Sequence, residues 1–286
     1  MHRLLLTAVF IIVAAGPSGA EQLTGTLQKI SDRGAIVLGH RDASPPFSFL
    51  DERKQPAGYS VDLCSRIAEA VKTKLGRPDL TVKYVPVSAE SRFDKVADGT
   101  VDLECGNTSH TLSGQEHVDF TLMTFITGAS LLLPAGSGIQ NLGELGGKRV
   151  SVVEGTTTET ALRDRLSQGL INAKVLPVKD HDAGIKMLEK GQVDAHAGDQ
   201  LVLIGLARAA KDPNKFALAP EIFTYEPYAL PVRRNDADFR LVADRALAQL
   251  YRTGQIAQIY EKWFGDWGGR PSRLLLSMFA LNGLPD

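Results

Sequence analysis

The sequence predicts an α/β protein built from two similar lobes. A helix end, a glycine and a buried strand that runs into a polar loop occur in "VADGTVDLECGN" (96–107) and again in "LEKGQVDAHAGD" (188–199). Upstream of each, "AIVLGHRDASPPF" (35–47) and "RVSVVEGTTTET" (149–160) both show a buried strand that leaves into a polar loop. A glycine after a helix supplies a left-handed turn, and a short apolar run predicts a buried strand. Two matched pairs in the same order favour two related lobes over chance similarity.

Residues 1–20 are predicted to be a signal peptide that is cleaved after Ala20. Arg3 precedes an apolar run from Leu4 to Ala15, and small residues precede the cleavage site. The run is shorter than the roughly 20 residues that span a bilayer. Cleavage removes one charged residue and changes the formal net charge from −1 to −2. The mature chain is therefore expected in the periplasm, with no electrostatic reason to bind nucleic acid or an anionic membrane.

The remaining elements alternate between helices and strands. Apolar spacing and flanking glycines predict helices at 60–76, 158–168, 183–191, 237–254 and 255–265. Strands at 128–134 and 228–234 lie before and after the second lobe and are predicted to cross between the lobes, and segment 47–62 is predicted to be an added hairpin or loop. Lobe one is expected to comprise 21–130 and 229–286, and lobe two 131–228.

The two cysteines, Cys64 and Cys105, both face inward in these predicted elements. Cys64 lies on the apolar stripe of helix 60–76, and Cys105 alternates with apolar residues of a strand. Export permits a disulfide, but the sequence supplies no distance between the two residues. A disulfide and two buried free thiols both remain open.

The polar loops that follow the strands are expected to form a ligand site. In open α/β sheets, ligands bind beyond the carboxyl ends of the strands. Two lobes that face each other would build a cleft from loops beginning at His40, Asn107, Glu154 and Asp199. The cleft would close on a small ligand through the crossing strands.

Several motifs resemble those of periplasmic solute-binding proteins of the polar amino-acid ABC-transporter family, and most closely its glutamate/aspartate-binding branch. They are "VLGHRDASPPFSF", "GYSVDLCSRIAEAVK", "VDLECGNTS", "LGGKRVSVVEGTTTE", "VKDHDAG" and "YEKWFGDW", in order from about Leu27 to the C-terminus. The resemblance implies a type II periplasmic binding protein fold, α/β and two-lobed, hinged by two crossing strands. It also implies an amino acid clamped between the lobes.

Three basic residues are implied to hold a carboxylate of the ligand. Arg41 leaves the first strand, and a guanidinium grips a carboxylate through two parallel hydrogen bonds. Arg92 and His181 match residues that approach the same side-chain carboxylate in the resembled branch. The alternatives are a surface arginine paired with Asp42, a solvated charge at a helix start, and a structural histidine.

The other implied ligand residues are polar loop residues. Thr156 and Thr157 open a helix, where free N–H groups favour an anion, although a threonine there also acts as a cap. Asp199 matches the residue that pairs with the ligand ammonium, although it also precedes a helix as a cap would. Asn107, Thr108 and Ser109 are expected to add hydrogen bonds.

Three positions depart from the resembled pattern. Gly114 stands where an arginine would bind the α-carboxylate, Ala89 stands where a serine would add a hydrogen bond, and Asn107 replaces the usual small serine. Other groups replace that arginine, or the ligand lacks a standard amino-acid head, or binding is weak.

The interpretation is a periplasmic binding component of an amino-acid ABC transporter. Its ligand is expected to be an acidic amino acid, its partner an inner-membrane permease, and its state monomeric, with no cofactor or metal. A cyclohexadienyl-dehydratase-like enzyme and a sensor of another carboxylate are the alternatives. The sequence shows no GxSxG nucleophile, P-loop or clear acid–base pair, which argues against the enzyme.

Overall fold

In the computed structural model, residues 23–267 and 270–286 are described, and they form two five-stranded sheets covered by helices. The predicted signal peptide lies outside these residues. In chain order the strands are β1 (Ala35–His40), β2 (Ala43–Ser44), β3 (Ser48–Leu50), β4 (Pro56–Ala57), β5 (Thr81–Pro86), β6 (Leu103–Glu104), β7 (Asp119–Thr127), β8 (Ala129–Pro134), β9 (Arg149–Val153), β10 (Lys174–Val178), β11 (Ala195–Asp199), β12 (Phe216–Leu218) and β13 (Glu226–Val232). The helices are α1 (Gly25–Arg33), α2 (Tyr59–Leu75), α3 (Arg92–Ala97), α4 (Thr157–Gln168), α5 (His181–Glu189), α6 (Gln200–Ala209), α7 (Ala237–Arg252), α8 (Ile256–Phe264) and α9 (Arg273–Asn282).

The two large sheets have the same arrangement of strand directions. The first has the order β5-β1-β6-β13-β7, and the second has the order β10-β9-β11-β8-β12. In each sheet three parallel strands are followed by two strands that pair in antiparallel fashion. The repeat in the sequence therefore corresponds to a repeat in the fold, and the carboxyl ends of three parallel strands meet at one edge of each sheet.

The chain changes sheet at Gly128 and returns between β12 and β13. Strands β7 and β13 pair with each other, so the two crossings are neighbours, and Thr127 lies opposite Glu226. A Cβ atom on Gly128 would lie 2.5 Å from the carbonyl oxygen of Thr224, so only glycine fits here. Predicted strand 128–134 corresponds to β8, which pairs inside the second sheet, and β7 was not predicted. The lobe boundaries at 130 and 228 stay a prediction.

The predicted helices are present with shifts of one to two residues at most ends. Gly76 ends α2 in the left-handed conformation with φ 61°, as its position after the helix indicates. The segment predicted as an added hairpin contributes β3 and β4 to the small sheet β2-β3-β4. Helix α9 covers the body with Leu275, Met278 and Phe279 buried.

An aromatic cluster joins helices α2 and α8, the small sheet and strands β7 and β13. The ring of Phe47 lies 5.0 Å from that of Phe125 and 5.1 Å from that of Tyr228, and the rings of Tyr59 and Phe264 lie 5.5 Å apart. Such pairs add about 0.5–1.5 kcal/mol each beyond the area they bury. Strand β13 is thereby held where its polar side chains reach the edge between the sheets.

Cys64 of α2 and Cys105 form a disulfide, with their Cα atoms 6.0 Å apart. Of the two alternatives left open by the sequence, the structure has the bond. It ties α2 to the chain just beyond β6. The polar residues that follow β6 therefore start from an anchored point.

We expect the double substitution of Cys64 and Cys105 by alanine to lower the free energy of unfolding by about 4 kcal/mol, because the bond closes a loop of 41 residues in the unfolded chain. The midpoint of thermal unfolding should fall by roughly 10 °C. Urea unfolding of both proteins measures the difference. A loss below about 1 kcal/mol would contradict the entropic argument.

Candidate functional site

A cavity lies between the two sheets at the carboxyl ends of their parallel strands. Its empty volume is about 430 Å³, including space open to solvent. All nine predicted ligand residues line it, together with five others. The lining residues are Arg41, Ala89, Arg92, Asn107, Thr108, Ser109, Val153, Thr156, Thr157, Thr158, His181, Ala197, Gly198 and Asp199.

Arg41 lies directly after β1 and is 9% exposed. Its backbone N–H donates to Ser48 Oγ at 2.9 Å, which fixes the direction in which the chain leaves the strand. Within the described residues its guanidinium makes no hydrogen bond or ion pair, so the predicted alternative of a pair with Asp42 is absent there. Burial lowers the pKa of Arg41, while the charges of Glu104 and, to a smaller extent, Asp199 oppose that change. This cation is desolvated and forms no direct ion pair with another described residue.

Arg92 begins α3 and is 8% exposed, so it is not a solvated charge at a helix start. Its Nη1 donates to the carbonyl of Gly155 at 3.3 Å, across the cleft, and its guanidinium lies 4.4 Å from the ring centre of Phe93. Its Nε has no partner. Burial and the neighbouring charge of Arg41 lower the pKa of Arg92 to about 10. Two close guanidinium groups thus make one end of the cavity strongly positive.

His181 is the first residue of α5 rather than part of a loop before it, and it begins a buried relay. Its Nδ1 lies 3.0 Å from His196 Nε2, and His196 Nδ1 lies 2.9 Å from Ser151 Oγ. When Ser151 donates to His196, the protons of both neutral rings shift so that His181 Nε2 carries a hydrogen. When Ser151 donates instead to the carbonyl of Ala195, at 3.4 Å, His181 Nε2 becomes an acceptor. A carboxylate in the cavity would select the first arrangement.

Burial keeps both histidines neutral. It lowers the pKa of His181 well below its usual range, with further effects from His196 and Arg41, and it lowers the pKa of His196 to about 4. Space for the second ring depends on Gly184, where a Cβ atom would lie 2.2 Å from His196 Cε1. The sequence analysis identified His181 but not this relay.

The hydroxyl groups at the start of α4 are used within the protein. Thr156 Oγ1 accepts from the N–H of Glu159 at 3.1 Å and donates to the carbonyl of Val153 at 2.7 Å, as a cap does. Thr157 Oγ1 donates to Glu226 at 2.8 Å. Only the N–H groups of the first helical turn, which lack helical partners, remain as donors toward the cavity.

Asp199 ends β11 and faces the cavity instead of capping α6. Its side chain makes no capping hydrogen bond. It accepts instead from Asn107 Nδ2 at 3.2 Å, Thr158 Oγ1 at 3.1 Å and the hydroxyl of Tyr228. Burial, and then the charge of Glu226, raise the pKa of Asp199 to about 6. A cation placed beside this carboxylate would stabilise its ionised form.

Two buried carboxylates near the site were missed by the sequence analysis. Glu226, 2% exposed, accepts from the hydroxyls of Ser109 and Thr157. Glu104 accepts from Thr108 Oγ1 at 2.9 Å, and its other oxygen has no partner. Neither forms an ion pair within the described residues. The one sequence signal for Glu226 is that a glutamate begins a buried strand. Its partners in the site, Ser109 and Thr157, lie more than 60 positions away in the sequence.

Gly114 does not line the cavity. It begins a short 3₁₀ turn, and a Cβ atom there would lie 3.0 Å from the side chains of Phe120 and Thr111. Ala89 does line the cavity and is buried, so a methyl group faces the ligand space where a serine was expected. Among the residues that the structure describes, Arg41 and Arg92 are the only arginines that line the cavity.

In the described part of the chain, no cluster of three histidine, cysteine or acidic residues has the arrangement of a metal site. None of its helices combines the length and the hydropathy that crossing a membrane requires.

Comparison with known proteins gives consistent matches. Residues 36–266 match the family model described as bacterial extracellular solute-binding proteins, family 3. An L-glutamate/L-aspartate-binding protein of Pseudomonas aeruginosa is 39% identical over 91% of this chain and 87% of its own. A glutamate/aspartate import solute-binding protein of Salmonella typhimurium is 34% identical over 92% of this chain and 88% of its own.

Among solved structures, an ancestral arginine-binding protein bound to arginine superposes with a TM-score of 0.73. It is 26% identical and covers 81% of this chain and 99% of its own. The predicted type II periplasmic binding protein fold is thereby confirmed. The same architecture holds ligands of opposite charge, so the charges in the cavity decide what is bound.

We expect acid to destabilise the wild-type protein more than the variant His196→Gln. The pKa of His196 is lower in the folded chain, about 4, than in the unfolded chain, so the unfolded state takes up the proton first as the pH falls below roughly 6.5. Between pH 7 and pH 4.5 the wild type should lose on the order of 2 kcal/mol that the variant does not. Urea unfolding at the two pH values measures this, and equal losses in both proteins would contradict it.

Proposed function

Because the chain belongs to family 3 of the bacterial extracellular solute-binding proteins, we propose that it captures an acidic amino acid, glutamate- or aspartate-like, for an inner-membrane ABC permease. The observation that carries this proposal is the pair of buried guanidinium groups of Arg41 and Arg92. They form no ion pair with another described residue, and they face the same cavity as the carboxylate of Asp199. An amino acid with a carboxylate at the far end of its side chain supplies the missing charge at both ends.

The positive end of the cavity suits the side-chain carboxylate. A carboxylate between Arg41 and Arg92 would accept charge-assisted hydrogen bonds, including one from the unpartnered Nε of Arg92. Neutral His181 would donate from Nε2 without adding a third positive charge. Grouped donors of this kind favour an anion over a neutral side chain.

The ligand ammonium would be bound at Asp199. Asn107, Thr158 and Tyr228 already orient this carboxylate, so it is held in place before the ligand arrives. Ser109 would support the same end through its bond to Glu226, whose charge acts on Asp199. Thr108 donates to Glu104, the carboxylate whose charge opposes the lowered pKa of Arg41. Asp199 accepts hydrogen bonds from residues on both sides of the cleft. A cation beside it would therefore strengthen a contact that spans the cleft.

Binding would favour the closed arrangement of the lobes. Arg41 follows a strand of the first sheet, and Asp199 ends a strand of the second. A ligand that touches both binds the closed form better than the open form and shifts the population toward it. A permease that recognises both lobes would then distinguish loaded from empty protein. The proposal includes a periplasmic, monomeric protein whose signal peptide is removed after Ala20.

The names of the relatives argue against an enzyme. Both curated relatives are named as binding proteins of amino acids, so the dehydratase alternative finds no support in them.

We expect Arg41→Gln and Asp199→Asn each to weaken L-glutamate or L-aspartate binding by about 30-fold or more, because each leaves a charged group of the ligand buried without its partner. Isothermal titration calorimetry on refolded residues 21–286 measures the two dissociation constants. Arg53→Gln is the matched control, since it neutralises an exposed arginine outside the cavity. Unchanged affinity in both cavity variants would contradict the proposed site.

A further inference from the structure

Two carboxylates without a cation lie at the negative end of the site: Asp199 lines the cavity, and Glu226 lies behind the lining residues Ser109 and Thr157. Asp199 and Glu226 are 7% and 2% exposed, and neither forms an ion pair within the described residues. Hydroxyl groups hold both: Thr158 and Tyr228 donate to Asp199, while Ser109 and Thr157 donate to Glu226. Because Thr157 and Thr158 are adjacent, the two carboxylates meet at the start of α4.

Glu226 occupies two of the hydroxyl donors that a second ligand carboxylate would use, Ser109 Oγ and Thr157 Oγ1. The start of α4 is the place in the cavity where N–H groups and threonine hydroxyls converge on an anion. Thr157 Oγ1 and Ser109 Oγ already donate to Glu226, Thr158 Oγ1 donates to Asp199, and Thr156 is a cap. An α-carboxylate of the ligand would therefore lie beside two like charges, with the N–H groups of the first turn of α4 as the donors that this helix start still offers.

The balance of charge in the site points the same way. Two cations, Arg41 and Arg92, stand against three buried carboxylates, Glu104, Asp199 and Glu226. A zwitterion with one carboxylate and one ammonium leaves this balance unchanged and neutralises both ends. Glutamate and aspartate each bring one further negative charge into the same enclosed space, next to like charges.

We propose that this site recognises one carboxylate and one ammonium only, and that it therefore binds ω-amino carboxylates without an α-carboxylate, such as 4-aminobutanoate, at least as tightly as L-glutamate. The inference rests on the proposed function, because it keeps the carboxylate at Arg41 and Arg92 and the ammonium at Asp199. Glu226 takes the place of the ligand α-carboxylate and is the residue that sets this preference.

Three molecules of matched length test the inference on the wild-type protein. L-glutamate has all three charged groups, 4-aminobutanoate lacks the α-carboxylate, and glutarate lacks the ammonium. Calorimetry on refolded residues 21–286 should give 4-aminobutanoate a dissociation constant equal to or below that of L-glutamate. Glutarate should bind about 100-fold more weakly than 4-aminobutanoate, because it leaves Asp199 unpaired. Two pairs that are shorter or longer by one methylene group, β-alanine with L-aspartate and 5-aminopentanoate with 2-aminoadipate, extend the comparison.

The outcomes separate the two proposals. If L-glutamate binds and 4-aminobutanoate binds more than about tenfold more weakly, the α-carboxylate is recognised, and this inference is overturned while the proposed function stands. If none of the amino carboxylates binds to protein that unfolds cooperatively, both are overturned.

The variant Glu226→Gln tests the assigned residue. The amide retains an oxygen that accepts from Ser109 and Thr157 but carries no charge. L-glutamate should gain at least about tenfold in affinity relative to 4-aminobutanoate. Glu189→Gln, at an exposed carboxylate of α5 outside the cavity, changes net charge equally and should leave the ratio as in the wild type. An unchanged ratio in Glu226→Gln would overturn the role of Glu226.

Discussion

Burial of charge without a counter-ion is the constraint on which this structure depends. A cation removed from water loses hydration worth several kcal/mol unless an anion replaces it. Arg41 and Arg92 are both more than nine-tenths buried, burial and then the charge of Arg41 lower the pKa of Arg92, and neither forms an ion pair with another described residue. In the proposed site, a ligand carboxylate would supply the anion that these two groups lack and would favour the state that holds it.

The scaffold places these charges through repetition and a few long-range anchors. Each sheet brings three parallel strand ends to the same edge, which accounts for Arg41 and Asp199 facing one cavity from opposite sides. The disulfide anchors the chain before Asn107, and the aromatic cluster holds Tyr228 so that its hydroxyl reaches Asp199. Because the site residues on both sides of the cavity are held in place, ligand binding has less conformational entropy to remove.

The residues that sequence could locate are those that follow parallel strands. Arg41 and Asp199 come at the ends of short strand-like runs. Residues at the carboxyl ends of strands in open α/β sheets are expected to contact ligands, so this position alone predicts a ligand site. Glu226 could not be placed in this way, because it enters on an antiparallel strand and meets Ser109 across 117 positions of sequence. The hydrogen bond between His181 and His196 could not be predicted for a related reason. The ring of His196 is fully buried, and the space that it occupies depends on the missing side chain of Gly184.

The neutral histidine is a consequence of the same constraint. A protonated His181 would put a third positive charge beside two guanidinium groups that are already desolvated, and burial, His196 and Arg41 all lower its pKa accordingly. A neutral imidazole can still donate to a carboxylate if a hydrogen bond to its other nitrogen fixes the tautomer. The hydrogen bonds from Ser151 to His196 and from His196 to His181 can do so without adding net charge. The chain of hydrogen bonds from Ser151 to His181 accepts either arrangement of protons, so a bound carboxylate would select the one in which His181 donates. Anion recognition in the proposed site would then combine two permanent charges with one hydrogen bond whose direction is adjustable.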